Sequence, residues 1–334
     1  MDIKIPYYED QSRLNNSSIG WFLYGGPFHF YQKYNKLISE DTSSMRAGRM
    51  IHEYILQPDD FWSDYAISDA EAPKSANQKD FCTFIIDNPS LGRSESSLEA
   101  FKLYYSTKGL SDDKIAEKAS ELLETLSPWI EFLELKKSKE VMTWSEFNRL
   151  KLILENIKLH KKANELLFQL NDNPEWITHN EFHINWDCFT KYTEGAMIAV
   201  DCKSLLDRIA IKSDYSEVYL IDIKTTGNVN DFKESFTKYD YGRQTAFYWQ
   251  AIDYYLEEEL GLTEEQISNI KRTTYIIAIG SNNEIKVLKI NPELIKERSK
   301  VITETIEKIT WHNLTNNWDY AKEYYDGDGS EDLN

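Results

Sequence analysis

The segment EVYLIDIKTT, Glu217 to Thr226, runs the apolar residues of a buried strand directly into a carboxylate and a lysine. Alternate side chains of a strand share a face, so Asp222 and Lys224 point the same way while Ile221 and Ile223 point into the opposite layer. Alone, a D-x-K pair also describes a surface salt bridge at a strand end. The preceding segment, CKSLLDRIAI, weighs against that: it sets Asp207 among Leu205, Leu206, Ile209 and Ile211, where an unpaired charge is costly to bury. If the two segments pair as an antiparallel hairpin around Lys212-Ser213-Asp214, Asp207 and Asp222 lie opposite one another. Two carboxylates held that close repel unless a cation stands between them, and hard oxygen ligands favour Mg²⁺ or Mn²⁺. The chemistry these residues point to is that of a divalent-cation centre.

A second group lies in YDYGRQTAFYWQ, where Gln244 and Tyr248 stand four residues apart and share one helical face, with Arg243 beside them. An ordinary amphipathic helix with a few polar residues would read the same in isolation. Upstream, His52 closes Gly48-Arg49-Met50-Ile51-His52, and on its residues alone it reads as a structural histidine. Glu181 opens a strand in NEFHINW, where a surface position fits equally well.

These residues need elements to place them. Asn16, Ser17 or Ser18 can cap a first helix through Ile19, Trp21, Phe22 and Leu23, which Gly25-Gly26-Pro27 should end. A second helix is expected from about Ser44 to Leu56, and the Ser-rich stretch Asn88 to Ser97, with Pro89 and Gly92, reads as a loop. From about Asp112 to Phe168 apolar residues recur at three- and four-residue steps, the mark of a helical layer. After Pro174 the pattern changes to strands: Trp176–Phe189, Gly195–Asp201, Lys203–Ile211 and Glu217–Lys224. A helix over Asp240–Glu258 follows, then strands Thr273–Ile279 and Glu284–Ile290 around Gly280-Ser281-Asn282-Asn283, then a helix from Pro292 to about Trp311. The order predicts a mixed α/β fold: one domain over 1–320, with a mainly helical part to 170, an α/β core over 171–320, and an acidic tail, 321–334, that frays. The DGDGSE stretch in that tail resembles the start of a calcium loop but lacks its distant glutamate.

Composition bounds the possibilities. A chain of 334 residues, 41% hydrophobic and with 21 tyrosines and 9 tryptophans, is globular and can bury a substantial core. Those aromatic residues raise the thought of a carbohydrate-binding module, but they fall mostly at core positions. No run approaches the roughly 18 apolar residues of a bilayer span, and the start has no signal-peptide pattern, so a cytoplasmic location and no membrane partner are expected. Cys82, Cys188 and Cys202 are far apart with no CxxC pair, which predicts reduced thiols and no iron-sulfur cluster. The net charge of −18 weighs against coating of nucleic acid by bulk attraction, and predicts nucleic-acid binding that weakens with salt and strengthens with a divalent ion.

Together, L-D-R-I at Leu206–Ile209, D-I-K-T-T at Asp222–Thr226 and Y-G-R-Q-T-A-F-Y at Tyr241–Tyr248, preceded by G-R-M-I-H at Gly48–His52, resemble the RecE-like (exodeoxyribonuclease VIII type) branch of the PD-(D/E)xK phage exonucleases. More distantly they resemble the RecB nuclease domain and phage-lambda-type exonucleases. The likeness spans Ser17 to Tyr254, and its specific part runs from Glu181 to Tyr248. It implies a restriction-endonuclease-like α/β core, a mixed central sheet flanked by helices, with an N-terminal and inserted helical layer. It implies Asp207, Asp222, the Ile223 carbonyl and His52 as ligands of Mg²⁺, for which Mn²⁺ can substitute, with Glu181 as an additional acidic residue. Lys224 would orient or activate water, and Gln244 and Tyr248 would match the family's Q-x-x-x-Y motif near DNA. Arg243 stands beside that motif, and Ser18, Arg46 and Arg49 are further candidates for a DNA phosphate, although capping or solvent exposure also suits them. The implied activity is stepwise release of 5′-mononucleotides from duplex DNA ends, 5′ to 3′, in the bacterial host cell of a phage or prophage. The implied partners are further copies in a ring and a single-strand annealing protein. The alternatives are an endonuclease of the same class, restriction or resolvase-like, and a non-catalytic DNA-binding assembly subunit with this fold.

Overall fold

The computed structural model describes residues 7, 10–38, 42–193 and 196–329. Gly195, where the sequence opens a strand, and the end of the acidic tail, 330–334, lie outside the described residues. The chain divides into two compact units, Met1–Gln57 with Ile153–Asn334, and Pro58–Leu152. In chain order it forms α1 (Asn16–Tyr34), α2 (Ser43–Leu56), α3 (Phe61–Asp64), β1 (Tyr65–Ile67), α4 (Ala76–Asp87), α5 (Gly92–Tyr104), α6 (Asp112–Lys136), β2 (Glu140–Met142), α7 (Trp144–Leu159) and α8 (Lys161–Leu167). There follow β3 (Trp176–Thr193), β4 (Ala196–Lys212), β5 (Glu217–Thr226), α9 (Phe232–Lys238), α10 (Tyr241–Tyr254), α11 (Glu264–Asn269), β6 (Lys271–Gly280), β7 (Ile285–Lys289), α12 (Pro292–Thr315) and α13 (Lys322–Asp326).

The larger unit is the mixed α/β fold that the sequence predicts. Its five strands lie in the order β3-β4-β5-β6-β7, with β5 and β6 parallel and the other neighbours antiparallel. Ile302, Ile306 and Ile309 of α12 and Ile19, Phe22 and Phe30 of α1 pack with Ala246, Phe247, Trp249 and Ile252 of α10 and with the sheet residues Trp186, Leu206, Ile209 and Leu220. The buried indoles find acceptors: Trp249 donates to Thr274 Oγ1 at 2.8 Å and Trp186 to Ser204 Oγ at 3.1 Å.

Strand pairing creates a fork. The β4–β5 ladder runs only from Ile211↔Val218 to Arg208↔Ile221, whereas β5 stays paired with β6 out to Thr226↔Gly280. The two strands therefore part at Asp207 and Asp222. The freed edge of β4 is partly taken up by the N-terminal segment, where Leu14 donates to the Asp201 carbonyl at 2.9 Å and Lys203 donates to that of Leu14 at 2.8 Å. On β4 the residues packed into the core are Cys202 and Leu206, then Ile209 and Ile211. The side-chain alternation thus changes phase across Asp207.

Three local expectations are corrected. The first helix does not end at Gly25-Gly26-Pro27: it kinks there and continues to Tyr34, because Gly26 takes φ 78° and the fixed φ of Pro27 suits a helix start. Its cap is Asn15, which accepts from the Ser18 N–H while the Ser18 hydroxyl accepts from that of Asn15. The Asn88–Ser97 stretch is not a loop. Pro89 opens a 3₁₀ turn and α5 starts at Gly92, with the buried Ser96 and Ser97 hydroxyls donating to the carbonyls of Asn88 and Ser94. The expected strands 195–201 and 203–211 are one strand, β4, since β3 pairs along both.

In the smaller unit α4, α5 and α6 close around Phe81, Ile85, Phe101, Ile115, Ala119 and Ile130, beside the parallel pair β1–β2. Cys82, Cys188 and Cys202 are unbridged, and burial pushes the Cys82 and Cys188 thiols up to about 11. Among the described residues no helix is long and apolar enough to cross a membrane.

Candidate metal centre

The fork places the predicted carboxylates. The register carried one step beyond Arg208↔Ile221 sets Asp207 across from Asp222, as the hairpin reading requires. Both are buried. Asp207 Oδ2 accepts the Ile223 N–H at 2.7 Å, a backbone donor that strand divergence leaves for a side chain. Asp222 Oδ2 lies 2.7 Å from Lys224 Nζ, so D-x-K residues do share a face. The other oxygen, Asp222 Oδ1, is buried without a hydrogen-bond partner, a costly condition for a carboxylate.

Glu181 comes from β3. The pairs Asn180↔Arg208 and Phe182↔Leu206 flank it and set it opposite Asp207, and its backbone takes φ 45°. A glutamate in the left-handed region inside a strand is strained, and a departure of this kind re-aims a side chain. His52 arrives on α2, which passes β5 where Gly48 sits: a Cβ there would stand 3.7 Å from Thr225 Oγ1. One turn later His52 Nδ1 lies 3.5 Å from Asp207 Oδ2. Ligand atoms of His52, Glu181 and Asp207 all fall within 4.8 Å of one another.

The sequence placed Asp207 and Asp222 at the centre, with His52 and Glu181 as additions. In the structure Asp207 is the hub for His52 and Glu181, while Asp222 is turned toward Lys224.

From the sheet's core-facing helix, α10, Gln244 Nε2 donates to Tyr248 Oη at 2.9 Å. Lys224 Nζ stands 5.2 Å from the centroid of the Tyr241 ring, a neighbour that the residue patterns did not single out although it opens the same Y-G-R-Q run.

Arg243 is elsewhere. It is 4% exposed, donates to the carbonyl and the side-chain oxygen of Asn16 at 2.5 and 2.6 Å, and has Nε 3.5 Å from Asp240 Oδ2. Gly20 makes room for it, since a Cβ there would come within 2.9 Å of Nη2. It ties α1 to α10 and presents no free fork to a phosphate. Arg243→Ala is expected to lower stability by about 3 kcal/mol, because Asp240 loses a buried partner. Urea denaturation measures this, and an unchanged midpoint would remove the role. Ser18 is buried in the α1 cap. Arg46 and Arg49 stand on α2 within two turns before His52, half-buried and exposed respectively. In the L-D-R-I run, Arg208 turns away from Asp207: its guanidinium donates to the Leu166 carbonyl at 2.8 Å and to Asn180 and Asn171.

Burial and mutual charge set the protonation. Burial alone would raise Asp207, but the His52 charge and hydrogen bond, Lys224 and the Ile223 N–H outweigh it and hold the carboxyl below its usual range. Burial works against His52 protonation, yet Asp207 raises it. Glu181 is pushed up to about 7 by burial and then by Asp207. Asp222 is pushed up to about 6 by burial, which with the Asp207 charge overrides the opposing pull of Lys224. Lys224 is raised, since Asp222 and Asp207 more than offset its burial. Tyr248 is raised well above the usual phenol value, first by burial and then by Asp222 and Asp207.

Three carboxylates and an imidazole with an unpartnered oxygen form a donor set that suits Mg²⁺ or Mn²⁺. Glu181 and Asp222, which burial and neighbouring charge hold back from ionising, are what a cation would relieve.

No family model matches the chain, and no curated protein does. Among solved structures, the crystal structure of a candidate exonuclease from Eubacterium rectale is similar at a TM-score of 0.50 and 11% identity, covering 97% of this chain and 91% of that one. At that identity the likeness is one of fold, and it extends over nearly the whole of both chains.

Proposed function

We propose that the chain is a divalent-metal-dependent deoxyribonuclease of PD-(D/E)xK type that hydrolyses duplex DNA from its ends, 5′ to 3′, releasing 5′-mononucleotides. The observation that carries this reading is the buried carboxylate group at the β4–β5 fork, with Lys224 against it and Asp222 Oδ1 unpartnered.

Asp207, Glu181 and His52 would hold Mg²⁺, with Asp222 Oδ1 and the Ile223 carbonyl as further donors. When bound, the ion lowers the pKa of water and offsets charge building on a phosphodiester. Lys224 keeps its proton and places a positive charge beside the attacked phosphate, where developing negative charge is greatest. Tyr248 stays a phenol because burial disfavours its anion. Its oxygen accepts from Gln244, which leaves its own O–H to donate toward a phosphate oxygen. The hydrophobic sheet and α10 exclude water around these groups and strengthen each of these interactions.

The test compares linear duplex with covalently closed circular DNA in Mg²⁺. Degradation of the linear form alone is expected. Cutting of the closed circle would place the chain among endonucleases and overturn the end-directed reading.

A further inference from the structure

We propose that the turn between α9 and α10 is a nucleobase-stacking platform, in which Tyr239 receives an unpaired base of the strand whose phosphate lies at Lys224. This rests on the nuclease reading above and names a substrate contact that reading lacks.

The argument starts at Lys224. Its Nζ lies 5.2 Å from the Tyr241 ring centroid, Tyr241 and Tyr239 have centroids 5.8 Å apart with planes inclined at 32°, and Lys238 Nζ lies 5.2 Å from the Tyr239 ring. Cation, ring, ring and cation thus form a continuous path from the carboxylate centre to solvent. Its inner ring is fixed: Tyr241 stacks on Phe232 at 18° and meets Phe236 edge-on at 75°. Its outer ring is displayed, with Tyr239 54% exposed.

A lone exposed tyrosine needs no explanation. Here the turn that carries it is held in a strained form. Asp240, directly after Tyr239, takes φ 48° and is buried; it accepts from Tyr24 Oη at 2.8 Å and from the Arg243 N–H, and pairs with Arg298 Nε at 3.1 Å. Contacts from α1, α10 and α12 therefore determine the conformation of one residue between two helices. Such over-determined strain collects at functional sites, and a rigid turn presents its ring at little entropic cost.

The chemistry selects the occupant. A pair of neighbouring rings with an ammonium group at each end, Lys238 at Tyr239 and Lys224 at Tyr241, continuous with a phosphate-cleaving centre, fits a nucleotide: the base stacks and the flanking phosphates meet Lys238 and Lys224. Bases inside a duplex are covered on both faces, so the platform takes a base that is unpaired at a frayed or single-stranded end.

The experiment is a substitution cycle on the full chain. Hydrolysis of linear duplexes is followed with an abasic residue placed in turn at each nucleotide near the end, for the wild type, Tyr239→Ala and Tyr239→Trp. On intact DNA, Tyr239→Ala is expected to raise KM by about 5- to 100-fold with a much smaller change in kcat. Tyr239→Trp restores it. At one abasic position the difference between wild type and Tyr239→Ala disappears. An unchanged KM, a loss that is the same at every abasic position, or a loss accompanied by a fall in Tm overturns the platform while leaving the nuclease reading in place. Absence of any DNA hydrolysis by the wild type removes the nuclease reading, and the platform with it.

Discussion

Asp207→Asn and Asp222→Asn are each expected to lower DNA hydrolysis by about a thousandfold or more while leaving a folded protein. The amide at 207 keeps an oxygen for the Ile223 N–H but loses the charge that organises His52 and faces Glu181. The amide at 222 gives up the charge beside Lys224 and the unpartnered oxygen's affinity for a cation. For Asp222→Asn stability should not follow activity downward, whereas Asp207→Asn, which loses a carboxylate that its neighbours hold below the usual range, is expected to cost stability near neutral pH. Asp222 is pushed up to about 6 because burial and Asp207 oppose its ionisation, so removal of its charge relieves a cost near neutral pH, and Lys224 retains Asp207 as a counter-charge. For Asp222→Asn a melting temperature equal to or above that of the wild type, with activity lost, is the expected pair of results. Loss of both together in Asp222→Asn would make that aspartate structural.

The second large effect is a change in how stability depends on pH when a divalent ion is added. Glu181 is raised from a usual 4.5 to about 7, and Asp222 from 3.8 to about 6. A group raised by folding contributes stability that is fully present below its unfolded pKa and is lost as pH rises through its folded value. Without metal, both groups therefore make the protein less stable between about pH 4 and pH 7, and His52, also raised, acts in the same direction above its usual 6.5. Asp207, held low, opposes them only under acid conditions, where its contribution is lost as pH falls below the usual 3.8. Mg²⁺ binds the ionised carboxylates, so its stabilisation should grow over the same window. At a hundredfold excess over Kd the gain is about 2.7 kcal/mol, or about 4 °C in Tm for a chain of 334 residues near pH 8, and little near pH 5. Glu181→Gln should flatten the metal-free profile. A Tm shift with Mg²⁺ that is independent of pH would rule these carboxylates out as the ligands.

Much of this site could be read from the sequence because strand geometry is local. A period of two puts Asp222 and Lys224 on one face, and a short polar turn fixes which residue opposes which, so the pairing of Asp207 with Asp222 follows from the sequence. The four-residue spacing of Gln244 and Tyr248 is equally local, and their hydrogen bond follows from it.

What the sequence left open or misplaced depends on distant contacts. Glu181, which the resemblance offers to the site and its own residues leave equally at the surface, joins the centre through a left-handed backbone conformation that no residue type announces, since glutamate rarely adopts it. Arg243 neighbours Gln244 in sequence and looked equally available to DNA, but Asn16 and the gap at Gly20, more than two hundred residues upstream, draw it inward. The Gly-Gly-Pro at the middle of α1 carries the signals of a helix end. Packing of Phe30 on Tyr34 and Trp318, at 5.0 and 5.3 Å, outweighs them.

The most direct test of the central claim is hydrolysis of a linear duplex labelled at either end, with Mg²⁺ or with a chelator, by the wild type and by Asp222→Asn. The expected result is mononucleotide release from the 5′ label, only with Mg²⁺ and only by the wild type. Release that survives the chelator, or that Asp222→Asn matches, would contradict a metal centre at the β4–β5 fork.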